Sequence, residues 1–402
     1  MKIAIVSHSY PLPGSNNAAE FVHGFAKGLQ KIGHDIFVVA PLCRNHEIIE
    51  EFEGIRIYPY RSYDSVSFGR ADNDYISKPR LSVLRSLLNG YKVLSRLVTS
   101  NKIEIVHAHW TIPMGYIAGW IKQLKNIPLV ITMHGRDVYY NPASGFIVPG
   151  LWYIRPFLRS AFNRADYLIA ISNDCKQHAV NSGAPEHKIK IIYNGTDTDR
   201  FFPDKLRGNA IKKKHDIGKK AKLLLTVRSL NYRKGIDILI KAMPDILKAV
   251  PDSFLIVGGD GPEKANLKTL VSELGIDKRI IFTGHIPNKV LVDYYNACDI
   301  FIIPSREEGF GIAAAEAMAC GVPVIGTKAG GLVETIQDGI TGLLVESEDV
   351  NNLSKAVIKL LSKKAEAERM GRNGLSRIRK EFNWCNVAKQ TELLYIKALS
   401  GK

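Results

Sequence analysis

Glu308 and Glu316 stand on either side of a Gly-x-Gly turn in Ser305-Arg-Glu-Glu-Gly-Phe-Gly-Ile-Ala-Ala-Ala-Glu316. Ala313 to Ala319 is a strong helix former and Gly321 ends it, so Gly309, Phe310, Gly311 and Ile312 open a helix. Bare amides at such a start can receive an anion, and the glycines allow close approach of backbone to ligand. If both acids were helical, their separation would span roughly 12 Å, so one carboxylate cannot duplicate the other. A sugar joined to a nucleotide through phosphates would use both, one at a sugar hydroxyl and one at a ribose hydroxyl.

A second constellation is Thr226-Val-Arg-Ser-Leu-Asn-Tyr-Arg-Lys-Gly235. Arg228 follows an apolar run, and Lys234 precedes the glycine of the next helix start. Arginine offers a bidentate phosphate contact and lysine a compact charge, so the pair can neutralise a departing diphosphate. Arg233 competes for that role. The turn Val257-Gly-Gly-Asp-Gly-Pro262 offers Gly259 for a backbone contact, and Gly284-His-Ile-Pro287, with Ile286, is a similar turn able to frame a nucleobase.

In the first half, Thr132-Met-His-Gly-Arg-Asp137 follows another apolar run, so His134 and Asp137 are expected to project from a sheet edge. His134 suits a sugar hydroxyl. His107 and His109 share one face of an extended strand, but no Glu completes a metal set, and no metal site is assigned. Asp72-Asn-Asp74 sits in a polar loop, and an Asx-type turn accounts for Asp197-Thr-Asp199. Gly14 and Ser15, in a polar loop after the first strand, either place amides near a phosphate or form an ordinary turn.

These residues need two sheets to hold them. Residues 2–7 read as a buried strand, 19–29 as an amphipathic helix closed by Gly33, and 36–40 as the next strand. Strands at 103–107, 129–132 and 167–171 alternate with helices near 80–99, 113–124, 151–164 and 173–182. A lysine-rich section at about 197–221 breaks the rhythm and reads as a connection. The alternation then restarts at 222 and runs to 326, and 349–399 is almost wholly helical. Such βα alternation predicts an α/β fold with parallel, doubly wound sheets, two Rossmann-like domains and a central cleft. The expected boundaries are 1–195 for an acceptor-binding domain, 196–380 for a donor-binding domain, and 381–402 for a helix packing back toward the first.

The 402 residues and 46% hydrophobic content support more than one core. Five cysteines without a Cys-x-x-Cys pair indicate a reducing compartment and neither a zinc knuckle nor a disulfide scaffold. The N-terminus is too soon polar for a signal peptide, and no apolar run approaches the roughly 20 residues of a spanning helix. The expectation is a cytoplasmic protein, peripheral at the inner face of the membrane. The net charge of +16 invites nucleic acid or anionic lipid. Without a zinc finger or arginine-rich tail, nucleic acid is not expected as a partner. The basic, apolar segments 80–88 and 151–164 fit a lipid surface.

The combined pattern resembles the retaining nucleotide-sugar glycosyltransferases of family four, with the two-lobed GT-B architecture, over nearly the whole chain. Glu308-Gly-Phe-Gly-Ile-Ala-Ala-Ala-Glu316 matches that family's Glu-x7-Glu motif. The resemblance implies that Glu308 contacts the transferred sugar, Glu316 the donor ribose, Arg228 and Lys234 the diphosphate, and His134 the donor sugar. Asn194-Gly-Thr-Asp197 resembles the hinge segment and Lys328-Ala-Gly-Gly-Leu-Val-Glu334 the loop beside the donor. Gly14-Ser15 departs from the paired glycines of many relatives. The resemblance further implies transfer of a hexose, from GDP-mannose or a UDP-sugar, to a hydroxyl on a glycan or lipid-linked acceptor in cell-envelope synthesis. It implies no cofactor and no bound metal. Alternatives are an epimerase or hydrolase of the same fold, separable by product analysis, and a noncatalytic nucleotide-sugar binding protein.

Overall fold

The protein is described from a computed structural model covering residues 1–12, 19–42, 50–61, 80–135, 137–138 and 155–401. It divides into two compact units, one of Met1–Gly195 with Trp384–Lys402 and one of Thr196–Asn383.

The first unit runs β1 (Lys2–Val6), α1 (Glu20–Lys31), β2 (Asp35–Leu42), β3 (Glu51–Phe52), β4 (Ile55–Arg61), α2 (Arg80–Ser100), β5 (Ile105–His109), α3 (Tyr116–Lys125), β6 (Leu129–Met133), α4 (Arg155–Arg164), β7 (Tyr167–Ala170), α5 (Asn173–Asn181) and β8 (Ile189–Ile191). Its eight strands lie in the order β3-β4-β2-β1-β5-β6-β7-β8, parallel except where β3 meets β4. The β1, β5 and β6 strands are buried almost end to end because both sheet faces are covered. Val22, Phe25, Ala26 and Leu29 line the buried face of α1 at helical spacing.

The second unit runs α6 (Lys205–Lys214), β9 (Lys222–Val227), α7 (Ile236–Ala249), β10 (Ser253–Gly258), α8 (Lys264–Glu273), β11 (Ile280–Gly284), α9 (Asn288–Ala297), β12 (Ile300–Ile303), α10 (Ile312–Ala319), β13 (Val324–Thr327), α11 (Leu332–Thr335), β14 (Gly342–Val345), α12 (Val350–Ser362) and α13 (Lys364–Glu381). Its sheet, β11-β10-β9-β12-β13-β14, is parallel throughout. In each unit the strand order reverses beside the first strand, between β1 and β5 and between β9 and β12. Crevices at the carboxyl ends of such reversal points are where open α/β sheets bind ligands.

The helix α14 (Trp384–Ser400) belongs to the first unit and packs on α1. Trp384 explains three glycines there. A Cβ on Gly24 would lie 2.2 Å from its indole nitrogen, one on Gly28 2.6 Å from its carbonyl oxygen, and one on Gly195 2.5 Å from its ring.

Three expectations about elements change. The strand expected at 103–107 runs Ile105–His109, which carries both histidines to its carboxyl end. The helix expected from 113 begins at Tyr116, because Thr111–Gly115 forms a wider turn. The section 197–221 is no bare connection: α6 sits inside it, capped by Asp204, which accepts from the Leu206 and Arg207 amides. Gly208 lets α6 approach α9, where an added Cβ would lie 2.2 Å from the Asn296 carbonyl oxygen. Only Gly208 and Ile211 of α6 are buried, too few to leave a periodic apolar signal.

Candidate active site

The reversal point of the second unit gathers the main charged constellation. β9 ends at Val227, so Arg228 emerges at its carboxyl edge, and β12 ends before Pro304 and Ser305. Arg228 donates through Nη2 to Glu308 Oε2, and Lys234 Nζ donates to the same oxygen at 3.0 Å. The Ser305 hydroxyl reaches it at 3.3 Å. Arg228 is 5% exposed, and its Nε and Nη1 are buried without a hydrogen-bond partner. One carboxylate thus faces two cations, and the guanidinium keeps donors to spare.

The electrostatics follow from burial and pairing. Burial alone would raise the Glu308 carboxyl, but Lys234 and Arg228 overcome it and hold it at about 2. Burial lowers Lys234 to about 8, with Glu308 opposing that shift and Arg228 adding to it.

Backbone contacts fix this arrangement. The Arg306 and Glu307 amides donate to the Arg233 carbonyl at 2.8 and 3.3 Å, seating the 305–308 loop on the turn that carries Lys234. Gly235 makes that seating possible: its φ is +63°, and a Cβ would lie 1.9 Å from the Pro304 carbonyl oxygen. Arg306 clamps Asp237 in the first turn of α7 with two bonds of 2.8 and 2.9 Å, and its guanidinium lies over the Tyr232 ring. It also pairs with Glu348. Arg233 reaches Glu307 at 3.8 Å rather than joining the Glu308 cluster.

Of the residues proposed from the α10 entry, Gly309, Gly311 and Ile312 frame its start. Gly311 adopts φ +88° at the cap position, and the Ala314 and Ala315 amides turn back on its carbonyl. Phe310 is a core residue, 1% exposed and edge-on to Phe382, so only its backbone can meet a ligand. Glu316 sits within α10 and accepts from the Tyr295 hydroxyl at 2.8 Å, so it is anchored rather than left in solvent. Glu308 is not helical. Gly331, in the segment 328–334, donates to the Glu308 carbonyl at 2.8 Å and lies beside the site.

The neighbouring strand ends form a shelf. The Gly259 amide donates to the Gly284 carbonyl at 2.7 Å, and its φ of +124° brings it against Arg228, where a Cβ would lie 1.7 Å from the carbonyl oxygen. Ile286 is buried, its side chain against Gly258, so it offers backbone rather than side chain to a ligand.

In the first unit, His107, His109 and His134 form a stack. Ring centroids are 4.9 and 5.1 Å apart, with interplanar angles of 11° and 14°. His109 Nδ1 meets His134 Nε2 at 2.9 Å. His107 is held at both nitrogens, by the Tyr395 hydroxyl and by Thr132 Oγ1. Burial lowers His107 and His134 well below the ordinary histidine value and His109 to about 3, so all three are neutral near pH 7. His109 Nε2 and His134 Nδ1 are buried without a hydrogen-bond partner. Among the described residues, no group of three or more His, Cys, Asp or Glu is placed to hold an ion.

Asp137 departs from expectation. It does not project from the sheet edge: it turns inward and accepts from the Thr111 amide and hydroxyl and from the His134 amide. It therefore shapes the loop that carries His134. The Asx turn at Asp197 is present, accepting from the Asp199 and Arg200 amides. Gly14, Ser15, Asp72 and Asp74 lie outside the described residues. Sequence reasoning missed Ser305, Arg306, Asp237, Tyr295 and the pairing of His109 with His134. Asp237 beside a helix start was the one local signal.

Comparisons with known proteins agree with the fold. Residues 18–200 match Glycosyltransferase Family 4, and residues 208–377 match Glycosyl transferases group 1. A GDP-mannose-dependent alpha-(1-6)-phosphatidylinositol monomannoside mannosyltransferase of Mycolicibacterium smegmatis is 30% identical over 75% of this chain and 78% of its own. An uncharacterised glycosyltransferase of Methanocaldococcus jannaschii is 27% identical over 98% of both chains. Among solved structures, a sucrose-phosphate synthase from Thermosynechococcus elongatus superposes with a TM-score of 0.77 at 23% identity, covering all of both chains. The chain belongs to the GT-B glycosyltransferases of Family 4 and group 1, enzymes that move a sugar from a nucleotide-sugar donor.

Proposed function

We propose that this enzyme transfers a hexose, from GDP-mannose or a UDP-sugar, to a hydroxyl of a glycan or lipid-linked acceptor, with retention at the anomeric carbon. The observation that carries the reading is the convergence of Arg228 and Lys234 on one buried oxygen, with two guanidinium nitrogens left over for a second anion. Charge builds on the bridging phosphate oxygen as the glycosidic bond breaks, and buried cations stabilise it most there. The acceptor hydroxyl attacks from the face that the diphosphate leaves. The leaving phosphate takes the acceptor proton, so no protein base is required. The charge on Arg228 and Lys234 serves the departing group without a bound metal, and full turnover in EDTA tests that part.

In this reading Glu308 positions the sugar, Glu316 the ribose and His134 a sugar hydroxyl. Gly259, Ile286 and the Gly309–Ile312 backbone frame the nucleotide. The GDP-mannose dependence of the M. smegmatis relative supports a guanine donor first. Calorimetry across GDP- and UDP-sugars tests the donor, and product NMR tests stereochemistry: an inverted product overturns retention. Full transfer by R228A/K234A overturns the clamp.

The acceptor side is peripheral to an anionic membrane at its inner, cytoplasmic face. Helices α2, α3 and α4 contact one another in sequence, carry nine arginines and lysines, and contain no acidic residue. Leu84, Leu88, Trp120, Leu124 and Phe157 are exposed on them. Cations beside exposed aromatic and aliphatic groups suit the headgroup boundary of anionic lipid. No helix among the described residues is long and apolar enough to cross a membrane. Cosedimentation with phosphatidylglycerol vesicles, absent with phosphatidylcholine and lost in W120A/L124E, is the expected result. Equal partition of wild type and variant counts against the surface.

A further inference from the structure

We propose that Glu308 is the internal occupant of the diphosphate site: its carboxylate neutralises Arg228 and Lys234 in the empty enzyme, yields them to the donor, and returns to them as the nucleoside diphosphate leaves. The inference rests on reading Arg228 and Lys234 as the diphosphate clamp.

Three donors, from Arg228, Lys234 and Ser305, converge on the single oxygen Oε2 of Glu308. That is the coordination a phosphate oxygen would receive. The match is incomplete in a telling way. Two cations face one carboxylate, and Arg228 retains two buried donors without partners. A diphosphate brings more charge and more acceptor oxygens, so it outcompetes the carboxylate. A pair built only as a structural brace would have its buried donors satisfied.

The surroundings separate the fixed parts from the exchanging one. Arg306 is locked to Asp237 and Glu348, and the Arg306 and Glu307 amides are tied to the Arg233 carbonyl. Glu308 is the next residue, ahead of Gly309 and the left-handed Gly311. Rotation of its side chain about its own torsions therefore leaves the clamp in place. After transfer, the returning carboxylate competes with the product for the same cations, which speeds nucleotide release.

The experiment is calorimetric titration of wild type, E308Q and E308A with GDP, UDP and inorganic pyrophosphate, with melting followed in parallel. The expected result is nucleoside-diphosphate affinity about tenfold higher in E308Q and E308A than in wild type, with the same direction for pyrophosphate. Equal or weaker binding by variants that melt cooperatively overturns the exchange. A second measurement compares wild type with E308Q at pH 4.5. Displacement of Glu308 leaves a carboxyl that is about half protonated there, so proton uptake, read from the dependence of binding heat on buffer ionisation enthalpy, is expected to be greater in wild type than in E308Q. Equal proton exchange in the two proteins overturns the exchange as well. Failure of wild type to bind either nucleotide has a different meaning: it removes the clamp reading itself. Binding by wild type without a gain in the variants removes only the exchange.

Discussion

Arg228 and Glu308 lie 80 positions apart in the chain and meet as an ion pair whose side chains are 5% and 12% exposed. Their meeting depends on β9 and β12 being neighbours at the point where the strand order reverses. Removing one partner of such a buried pair strands the other charge, which costs about 3–5 kcal/mol. Lys234 shares Glu308 and moderates the loss when Arg228 is the residue removed.

Glu308 links stability to acid pH. It ionises at about 2 in the folded protein against an ordinary 4.5, so the unfolded chain binds more protons between those values. Its stabilisation is whole above about pH 4.5 and is lost as pH falls toward 2. Urea unfolding of wild type at pH 5 and pH 3 is expected to show a drop that E308Q does not share. Equal drops in both proteins contradict the linkage.

Lys234 predicts an alkaline limit. With a folded value of about 8, it sheds its charge as pH rises through that point, and the clamp weakens. The free-enzyme profile of kcat/KM is expected to fall by one proton near pH 8. A profile flat to pH 10 contradicts it. Arginine stays charged throughout this range, so in K234R the limb moves upward.

The histidine stack predicts silence over the range where histidines usually titrate. Burial keeps His107, His109 and His134 neutral, so their ring 15N shifts are expected to stay constant from pH 8 to 5. Any acidic limb of activity near pH 6.5 must then come from elsewhere. In H109F, the Nε2 of His134 loses its partner, and the His134 shifts are the ones that move.

Gly235 is expected to tolerate no side chain. G235A places a Cβ 1.9 Å from the Pro304 carbonyl oxygen at a positive φ, which costs about 2–3 kcal/mol and displaces Lys234 from Glu308. Denaturant unfolding measures the first effect and loss of nucleotide binding the second. G33A, also at positive φ but with no atom within 4 Å of the added Cβ, serves as the milder control.

Trp384 is expected to anchor α14. W384A empties the space that Gly24, Gly28 and Gly195 leave for it, at about 3–5 kcal/mol, read as an earlier unfolding transition of the first unit. An unchanged transition contradicts that anchoring.

The chain specified its class of fold locally, because buried parallel strands and amphipathic helices leave patterns within a few residues. Continuous apolar runs such as Ile300–Ile303 and the spacing of Val22, Phe25, Ala26 and Leu29 are local records of burial. It also determined that the 305–316 segment opens a helix, since glycine permits the turn and alanine propagates the helix beyond it. What those residues touch is set by packing between distant elements. The joining of Arg228 and Lys234 on Glu308 comes from strand adjacency over a long sequence separation, and nothing local encodes it. Glu316 meets Tyr295 through the packing of α9 beside α10, and Asp137 turns inward because the Thr111 amide needs an acceptor. Phe310 and Ile286 bury their side chains and leave backbone to a ligand for the same reason: in a glycine-rich turn, sequence cannot tell a side chain aimed at a ligand from one that plugs the core beneath it. Direction is set by the burial that the assembled sheet and helices provide.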